Sequence, residues 1–438
     1  MIEYRNLKIA ILGGGTVGAN VAALLIEHGD ELAARVGAGL EVVGVAVRNP
    51  DAVRTPSVPA DLITTDAASI IPGADIVVEL IGGLEPARTL VLEALASGAD
   101  VVTANKALLA THGPELFAAA EQVGAQVYYE AAVAAAIPII RPLRESLAGD
   151  RVRRILGIVN GSTNFILDKM DTEGMSASDA QALALELGYL EADPTLDMEG
   201  FDAAQKAAIL ASLAFHTHVP LDAVYREGIS AITDEQVASA KAAGYVVKLL
   251  AIAERIDDPE TGREGVSARV HPALVPSTHP LAAVHGGNNA VFVEAEFAGS
   301  LMFYGAGAGG VQTASAVLGD IVSAARRHLA GGPGVAESSS ADLVVLPIDV
   351  ALTSYQITLE VVDRPGVLAE VAGLIAEHGV SIETASQTAG AAVDGEPTAS
   401  LVIVTHRAQD RALAATVAAL AASAAVRVVR GVVRVEGR

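Results

Sequence analysis

The stretch Leu7 to Gly18, LKIAILGGGTVG, decides the fold. Its first residues are a short apolar run that reads as a buried strand, the glycines make a turn, and residues 16 to 28 continue as a helix rich in alanine and leucine. Gly13-Gly14-Gly15-Thr16-Val17-Gly18 fits G-x-G-x-x-G inside that βα unit. The first glycine permits the tight turn and the second lets backbone approach a pyrophosphate. The third lets helix pack on strand, and the helix N-terminus favours the anion. Gly13, Gly15, Thr16, Val17 and Gly18 are therefore candidate dinucleotide contacts. Further apolar strands are expected over 41–47, 75–81, 100–103 and 125–129, with helices over 85–97 and 114–123. That alternation predicts an α/β protein whose first domain is a mostly parallel, doubly wound Rossmann-type sheet.

Two points on this sheet suggest ligand contacts. The second strand ends in Val47-Arg48-Asn49-Pro50, where an NAD-preferring site usually carries an acid. A guanidinium there can receive a 2′-phosphate instead, so Arg48 tilts the cofactor toward NADP, with NAD still open and Arg54 as a second contact. Thr103-Ala104-Asn105-Lys106 lies at the carboxyl end of a strand, where open α/β sheets bind ligands, so Lys106 could reach both nicotinamide and substrate.

From about residue 140 the rhythm changes. Residues 142–148, 176–187, 202–216 and 313–329 read as helices, and 152–159, 266–272 and 289–297 as extended, which predicts an α+β catalytic and dimerisation domain. The glycine-rich GAGAGG at 305–310 leads into the last of those helices. The low-complexity AGGPGVAESSSAD then reads as a flexible linker. Beyond it, strand 354–362, helix 367–378, strands 380–387 and 398–405, helix 410–422 and strand 426–435 spell βαββαβ, a ferredoxin-like module. The expected boundaries are 1–135 for the nucleotide domain, 136–330 for the substrate domain, 331–350 for the linker and 351–438 for the terminal module. Residues 305–330 are expected to pack back on the nucleotide domain.

The segment Leu187 to Lys206, LGYLEADPTLDMEGFDAAQK, places Glu191, Asp193, Asp197, Glu199 and Asp202 ahead of one lysine. Asp202 and Lys206 are four apart at the start of a helix and share a face. An ordinary surface pair would look the same. The crowd of acids and the breaks at Gly188, Pro194 and Gly200 favour a site. An acidic neighbour keeps the lysine protonated, ready to stabilise an alkoxide and exchange its proton during hydride transfer.

Composition narrows the classes. With 29 basic against 52 acidic residues the net charge is -23, which repels polyanions, so nucleic acid is not an expected partner. Hydrophobic content is 51% and mean hydropathy +0.43, but no apolar run reaches the roughly 18 to 20 residues of a spanning helix. No membrane partner is expected. The start lacks the pattern of a signal peptide, so a cytoplasmic location is expected. The absence of cysteine removes disulfides, thiolate zinc sites and a thiohemiacetal route.

With these residues in view, the chain resembles bacterial homoserine dehydrogenases that carry a C-terminal ACT domain. The resemblance runs through GGGTVG, VELIGG, TANKALLATHG, EAAVAAAIPII, GIVNGSTNFIL, LGYLEADPTLDMEGFDAAQK and GAGAGG. It implies interconversion of homoserine and aspartate 4-semialdehyde with NAD(P). By that resemblance Lys206 is similar to the proton donor and acceptor, Asp202 to its supporting acid, Glu191 and Asp197 to substrate-binding carboxylates, and Lys106 to a lysine near substrate and nicotinamide. Gly82 and Gly309 match backbone positions at the cofactor. Glu130, Val133, Ala135 and Ile137 match a segment that binds sodium or potassium, mostly by backbone carbonyls. A homodimer or homotetramer with threonine feedback is implied. The chain departs from the family pattern at Ala135 and Ala136, where glycines are usual and a positive φ would be costly. It departs also at Ser162, Leu190, Leu196 and Gln312. A catalytically silent nucleotide and amino-acid sensor, and reductive amination of a keto acid, are the alternatives.

Overall fold

A computed structural model describes residues 5–258, 261–332, 337, 339–392 and 396–437. The chain forms two compact units that interleave along the sequence. The first comprises 1–161, 202–222 and 287–342, the second 162–201, 223–286 and 343–438. The acidic segment is divided between Phe201 and Asp202.

In the first unit, β1 (Leu7–Leu12), β2 (Leu40–Ala46), β3 (Ile63–Thr64), β4 (Ile76–Glu79), β5 (Asp100–Thr103) and β6 (Val127–Tyr128) form a sheet in the order β3-β2-β1-β4-β5-β6. Every pairing is parallel. This is the doubly wound order expected from the opening glycines, with β1 and β4 central where the chain reverses direction. Ile9, Ile11, Ile76 and Val78 bury one face against Val21 and Leu25 of helix Thr16–Glu27 and Val317 and Ile321 of helix Gly310–Ala330. A separate antiparallel set, Val152–Ile158 with Asn288–Ala295 and Gly299–Ala306, belongs to the same unit.

In the second unit, strands Tyr245–Asp257 and Glu264–Pro276 pair over their full lengths. Residues 382–389, 398–405, 352–362 and 426–435 form the four-stranded sheet of the terminal module, covered by helices Val367–Glu377 and Asp410–Ala422. Strand Val426–Val435 also continues onto the long hairpin, with Arg434 and Val435 opposite Ala273 and Leu274.

Several elements differ from expectation. Helix Lys106–Val123 starts eight residues before the predicted 114, because Asn105 caps it and buried Leu108, Leu109 and Ala110 carry it through Pro114. Helix Gly161–Glu173 was not foreseen, and 142–146 is a single π-helical turn in place of an α-helix. Val344–Val345, within the expected linker, pairs with Gly265 and Val266. Residues 333–336 and 338 of that stretch lie outside the described residues. Among the described residues no helix is long and apolar enough to cross a membrane.

Candidate functional site

At the head of the first unit, the turn Gly13 to Gly18 is built as a dinucleotide cradle. Gly13 has φ +109°, and a Cβ there would stand 2.6 Å from the backbone of Leu80. A Cβ on Gly18 would stand 1.9 Å from the oxygen of Gly13. Gly15, by contrast, has open space where its side chain would be, and Thr16 and Val17 follow as the first residues of the helix. Gly13 and Gly18 are required by the protein's own packing, and Gly15 leaves backbone free to meet a ligand. Helix Gly310–Ala330, which follows Gly309, begins against this turn: a Cβ on Gly310 would stand 2.7 Å from Thr16. Gly82 lies just after β4, with φ +78° and open space beside it.

Arg48, just beyond β2, is exposed and makes no hydrogen bond or ion pair with the described residues. Arg54 behaves differently. Its guanidinium donates to the carbonyls of Asn49 (2.6 Å), Ala52 (2.7 Å), Pro50 (3.1 Å) and Gly14 (3.2 Å), so it folds its own loop and braces the glycine turn. That leaves little of it to meet a phosphate, which corrects its expected role as a second contact.

The charged cluster forms at the carboxyl edge of the same sheet. Lys106 opens the helix after β5, and Asp202 and Lys206 lie on the first turns of helix Phe201–Phe215. The Lys206 ammonium donates to Asp202 Oδ2 (2.8 Å) and to the carbonyl of Val159 (2.6 Å). Lys106 Nζ stands 3.1 Å from Asp202 Oδ1, and Asn160 Nδ2 donates to Asp202 Oδ2 at 2.9 Å. One carboxylate thus bridges two ammonium groups. Burial alone would raise the Asp202 pKa, but the charges of Lys206 and Lys106 and the hydrogen bonds from Lys206 and Asn160 hold it well below the usual carboxylate range. Lys206 is 9% exposed and has spent two of its three N–H bonds, so one remains for a third oxygen. Lys106, more open, has two.

The other acids of the segment divide by task. Asp193 accepts from the backbone and hydroxyl of Thr195 and forms a turn. Glu199 accepts from Ser230, while its carbonyl takes Arg226. Neither is available to a ligand without breaking local structure. Glu191 is exposed, and Asp197 is half-buried in the short helix Thr195–Met198; both belong to the second unit.

Glu130 is 1% exposed and accepts from the backbone N–H of Ile139 (2.6 Å), Ile140 (2.7 Å) and Arg141 (3.0 Å), and from Arg141 Nε (3.1 Å). Its carboxylate closes a turn, so only its backbone carbonyl could serve a cation. Ala135 sits in the same loop with φ +51° and ψ -107°, a conformation unfavourable for any residue with a Cβ.

Asn160 was missed from sequence, although an amide directly after an apolar strand at a carboxyl edge is a fair signal. Glu79 was missed as well: an acid ending the apolar run Ile76 to Glu79 has to be buried or functional, and it is fully buried.

The chain is similar to known proteins along nearly its whole length. The family model described as homoserine dehydrogenase matches residues 138–322, the homoserine dehydrogenase NAD binding domain matches 13–130, and the ACT domain matches 355–424. Homoserine dehydrogenase of Corynebacterium glutamicum is 51% identical over 430 residues, covering 98% of this chain and 95% of its own. The crystal structure of a homoserine dehydrogenase from Thiobacillus denitrificans superposes with a TM-score of 0.91 at 40% identity, covering 99% of both chains. A hyperthermophilic archaeal homoserine dehydrogenase in complex with NADPH gives a TM-score of 0.61 at 29% identity, over 75% of this chain and 99% of that one. Likeness of this depth along nearly the whole sequence means that the chain belongs to the homoserine dehydrogenase family, and that it is an oxidoreductase with a nicotinamide-nucleotide domain and a C-terminal ACT domain.

Proposed function

We propose that Lys206 is the group that gives and takes the proton as L-homoserine and L-aspartate 4-semialdehyde interconvert, with Asp202 and Lys106 completing the site. The observation that carries this reading is the bridged arrangement itself, one buried carboxylate between two ammonium groups at the carboxyl edge of a dinucleotide-binding sheet. Bound nicotinamide supplies or accepts the hydride. The chain's part is then to handle charge and proton: in aldehyde reduction the free N–H of Lys206 meets the substrate oxygen, stabilises the alkoxide formed there and gives it the proton, and in alcohol oxidation Lys206 as the amine takes that proton back. Asp202 holds the ammonium in place, and Lys106 adds a second positive charge beside it. By the family resemblance, Glu191 and Asp197 are the carboxylates proposed for the substrate ammonium. A silent sensor is not favoured, since sensing has no use for this cluster. The test is a spectrophotometric assay of reduced nicotinamide with homoserine and each cofactor in turn. Homoserine-dependent reduction supports the reading, and none with either cofactor overturns it.

The unpartnered Arg48 supports a preference for NADP, and Gly13, Gly15, Thr16, Val17, Gly18, Gly82 and Gly309 are the proposed contacts of the nucleotide. Arg48→Asp should move the ratio of Michaelis constants toward NAD. Main-chain carbonyls of Glu130, Val133, Ala135 and Ile137 are the proposed ligands of a sodium or potassium ion, a neutral oxygen set suited to a weakly charged cation. In the terminal module, the turn Asp363-Arg364-Pro365-Gly366 leads into helix Val367–Glu377 and offers amides for an amino-acid carboxylate, consistent with threonine as effector. Strand Ile382–Ala389 is an exposed sheet edge, which favours pairing with a second copy in a homodimer or homotetramer. A cytoplasmic location completes the proposal. Threonine regulation is better tested by substitution in the 363–366 turn than by deleting the module. Glu436 is an ion-pair partner of Arg269, which is 0% exposed, and deletion would strip that partner away.

A further inference from the structure

Glu79 ends β4 with its carboxylate fully enclosed. Such burial is costly unless the lone pairs are used. Here Oε1 accepts from the backbone N–H of Ile81 (2.8 Å) and Gly82 (3.1 Å), and Oε2 accepts from the hydroxyl of Thr103 (2.6 Å), the residue directly opposite on β5. The Thr103 oxygen accepts in turn from the backbone N–H of Asn105 (3.0 Å). Asn105 Oδ1 caps the helix by accepting from Leu108 N–H (3.1 Å), and its Nδ2 donates to the carbonyl of Gly83 (2.7 Å). The circuit therefore returns to the turn it left. One carboxylate ties together the two loops of this edge, one carrying Gly82 and the other presenting Lys106 as the first residue of its helix.

We infer that Glu79 is a positioning residue for the reaction, acting through Thr103 and Asn105 to fix the start of the helix that carries Lys106. Lys106 is the most exposed of the three charged groups, with 39% of its side chain accessible, so its 3.1 Å contact with Asp202 depends on where its backbone is held. The polarity of the chain of bonds also matters. The Thr103 oxygen takes the N–H of Asn105, which leaves its own hydroxyl proton to point at Glu79 Oε2. An amide at position 79 could present N–H to Thr103 and remove the acceptor that sets that direction.

The inference rests on the reading that Lys106 serves the reaction, and a double-mutant cycle separates the two. The measurement is kcat and KM for homoserine oxidation in Glu79→Gln, Lys106→Met and the double variant, with Thr103→Val and Thr103→Ser alongside. Glu79→Gln and Thr103→Val should each lower kcat/KM for homoserine by roughly tenfold, while Thr103→Ser stays within about threefold of the parent. In the Lys106→Met background, Glu79→Gln should cost less than about twofold, because the group it positions is gone. Losses that multiply in the double variant, or a Glu79→Gln enzyme with parental kcat/KM, overturn the inference. If Lys106→Met alone leaves kcat/KM unchanged, the reading of Lys106 itself has failed. Should Glu79→Gln not fold, the same cycle with Thr103→Val decides the matter by the same criteria.

Discussion

Lys206 and Lys248 are both buried, at 9% and 0% exposure, yet they are held in opposite ways. Lys206 shares a carboxylate with a second lysine and keeps one N–H bond unspent. Lys248, on strand Tyr245–Asp257, has neutral hydrogen-bond partners among the described residues, donating to Asn164 Oδ1 (3.0 Å) and the carbonyl of Val284 (2.6 Å). Burial pushes its pKa down to about 8, although the charges of Asp168 and Asp171 pull the other way. The first arrangement holds charge where a reaction needs it. The second uses an ammonium as a hydrogen-bonding spacer between a helix and a loop. What separates a candidate site from a structural lysine is therefore the ionic partner, not depth of burial.

That contrast can be broken at several points. The largest effect is expected at Lys206: Lys206→Ala should lower kcat by roughly a hundredfold or more, the scale of lost acid-base catalysis, with NADP affinity little changed in a binding titration. Equal loss of both would indicate misfolding. Asp202→Asn should come next, leaving two ammonium groups without their counter-charge and costing on the order of 3 kcal/mol of stability, read by denaturant unfolding. Because the folded-state pKa of Asp202 is lowered, its contribution is fully present above the ordinary carboxylate value. It is lost as pH falls below about 4, so the parent and Asp202→Asn should converge in acid.

Lys248 should show the reverse pH dependence. Its folded-state pKa lies near 8 while the unfolded chain holds the proton to about 10.4, so the unfolded state binds more protons in between and stability rises with pH across that window. The gain of roughly 3 kcal/mol should vanish in Lys248→Met, seen as a flattened plot of Tm against pH, with kcat unchanged. Smallest is Ala135→Gly, which relieves the φ of +51° and should stabilise by about 1 kcal/mol, seen as a slightly higher Tm.

The legible parts of the sequence share a physical character. The opening turn could be read because glycines at 13 and 18 answer to local sterics, and the terminal module because each of its elements has its own period and turn, from strand Leu352–Val362 to strand Val426–Val435. Helix Gly161–Glu173 could not, since it is buried from Thr163 through Asp168 without a break, polar Thr163, Asn164 and Asp168 included, and so shows no alternation of apolar and polar faces. Helix Lys106–Val123 was truncated because Pro114 reads as a start, whereas the Asn105 cap and buried residues upstream override it. Within the candidate site, Asp202 and Lys206 were visible because they are four apart on one helix. The contacts of Asp202 with Asn160 and Lys106 join residues 42 and 96 positions away, and only the sheet's topology brings them together.

The role proposed for Lys206 requires its spare N–H to meet the reacting oxygen. Crystallography of the enzyme with NADP and homoserine tests it most directly. The homoserine hydroxyl should lie about 3 Å from Lys206 Nζ, with Asp202 still between the two lysines. A hydroxyl bound by another group, with Lys206 remaining only on Asp202 and the Val159 carbonyl, would contradict it.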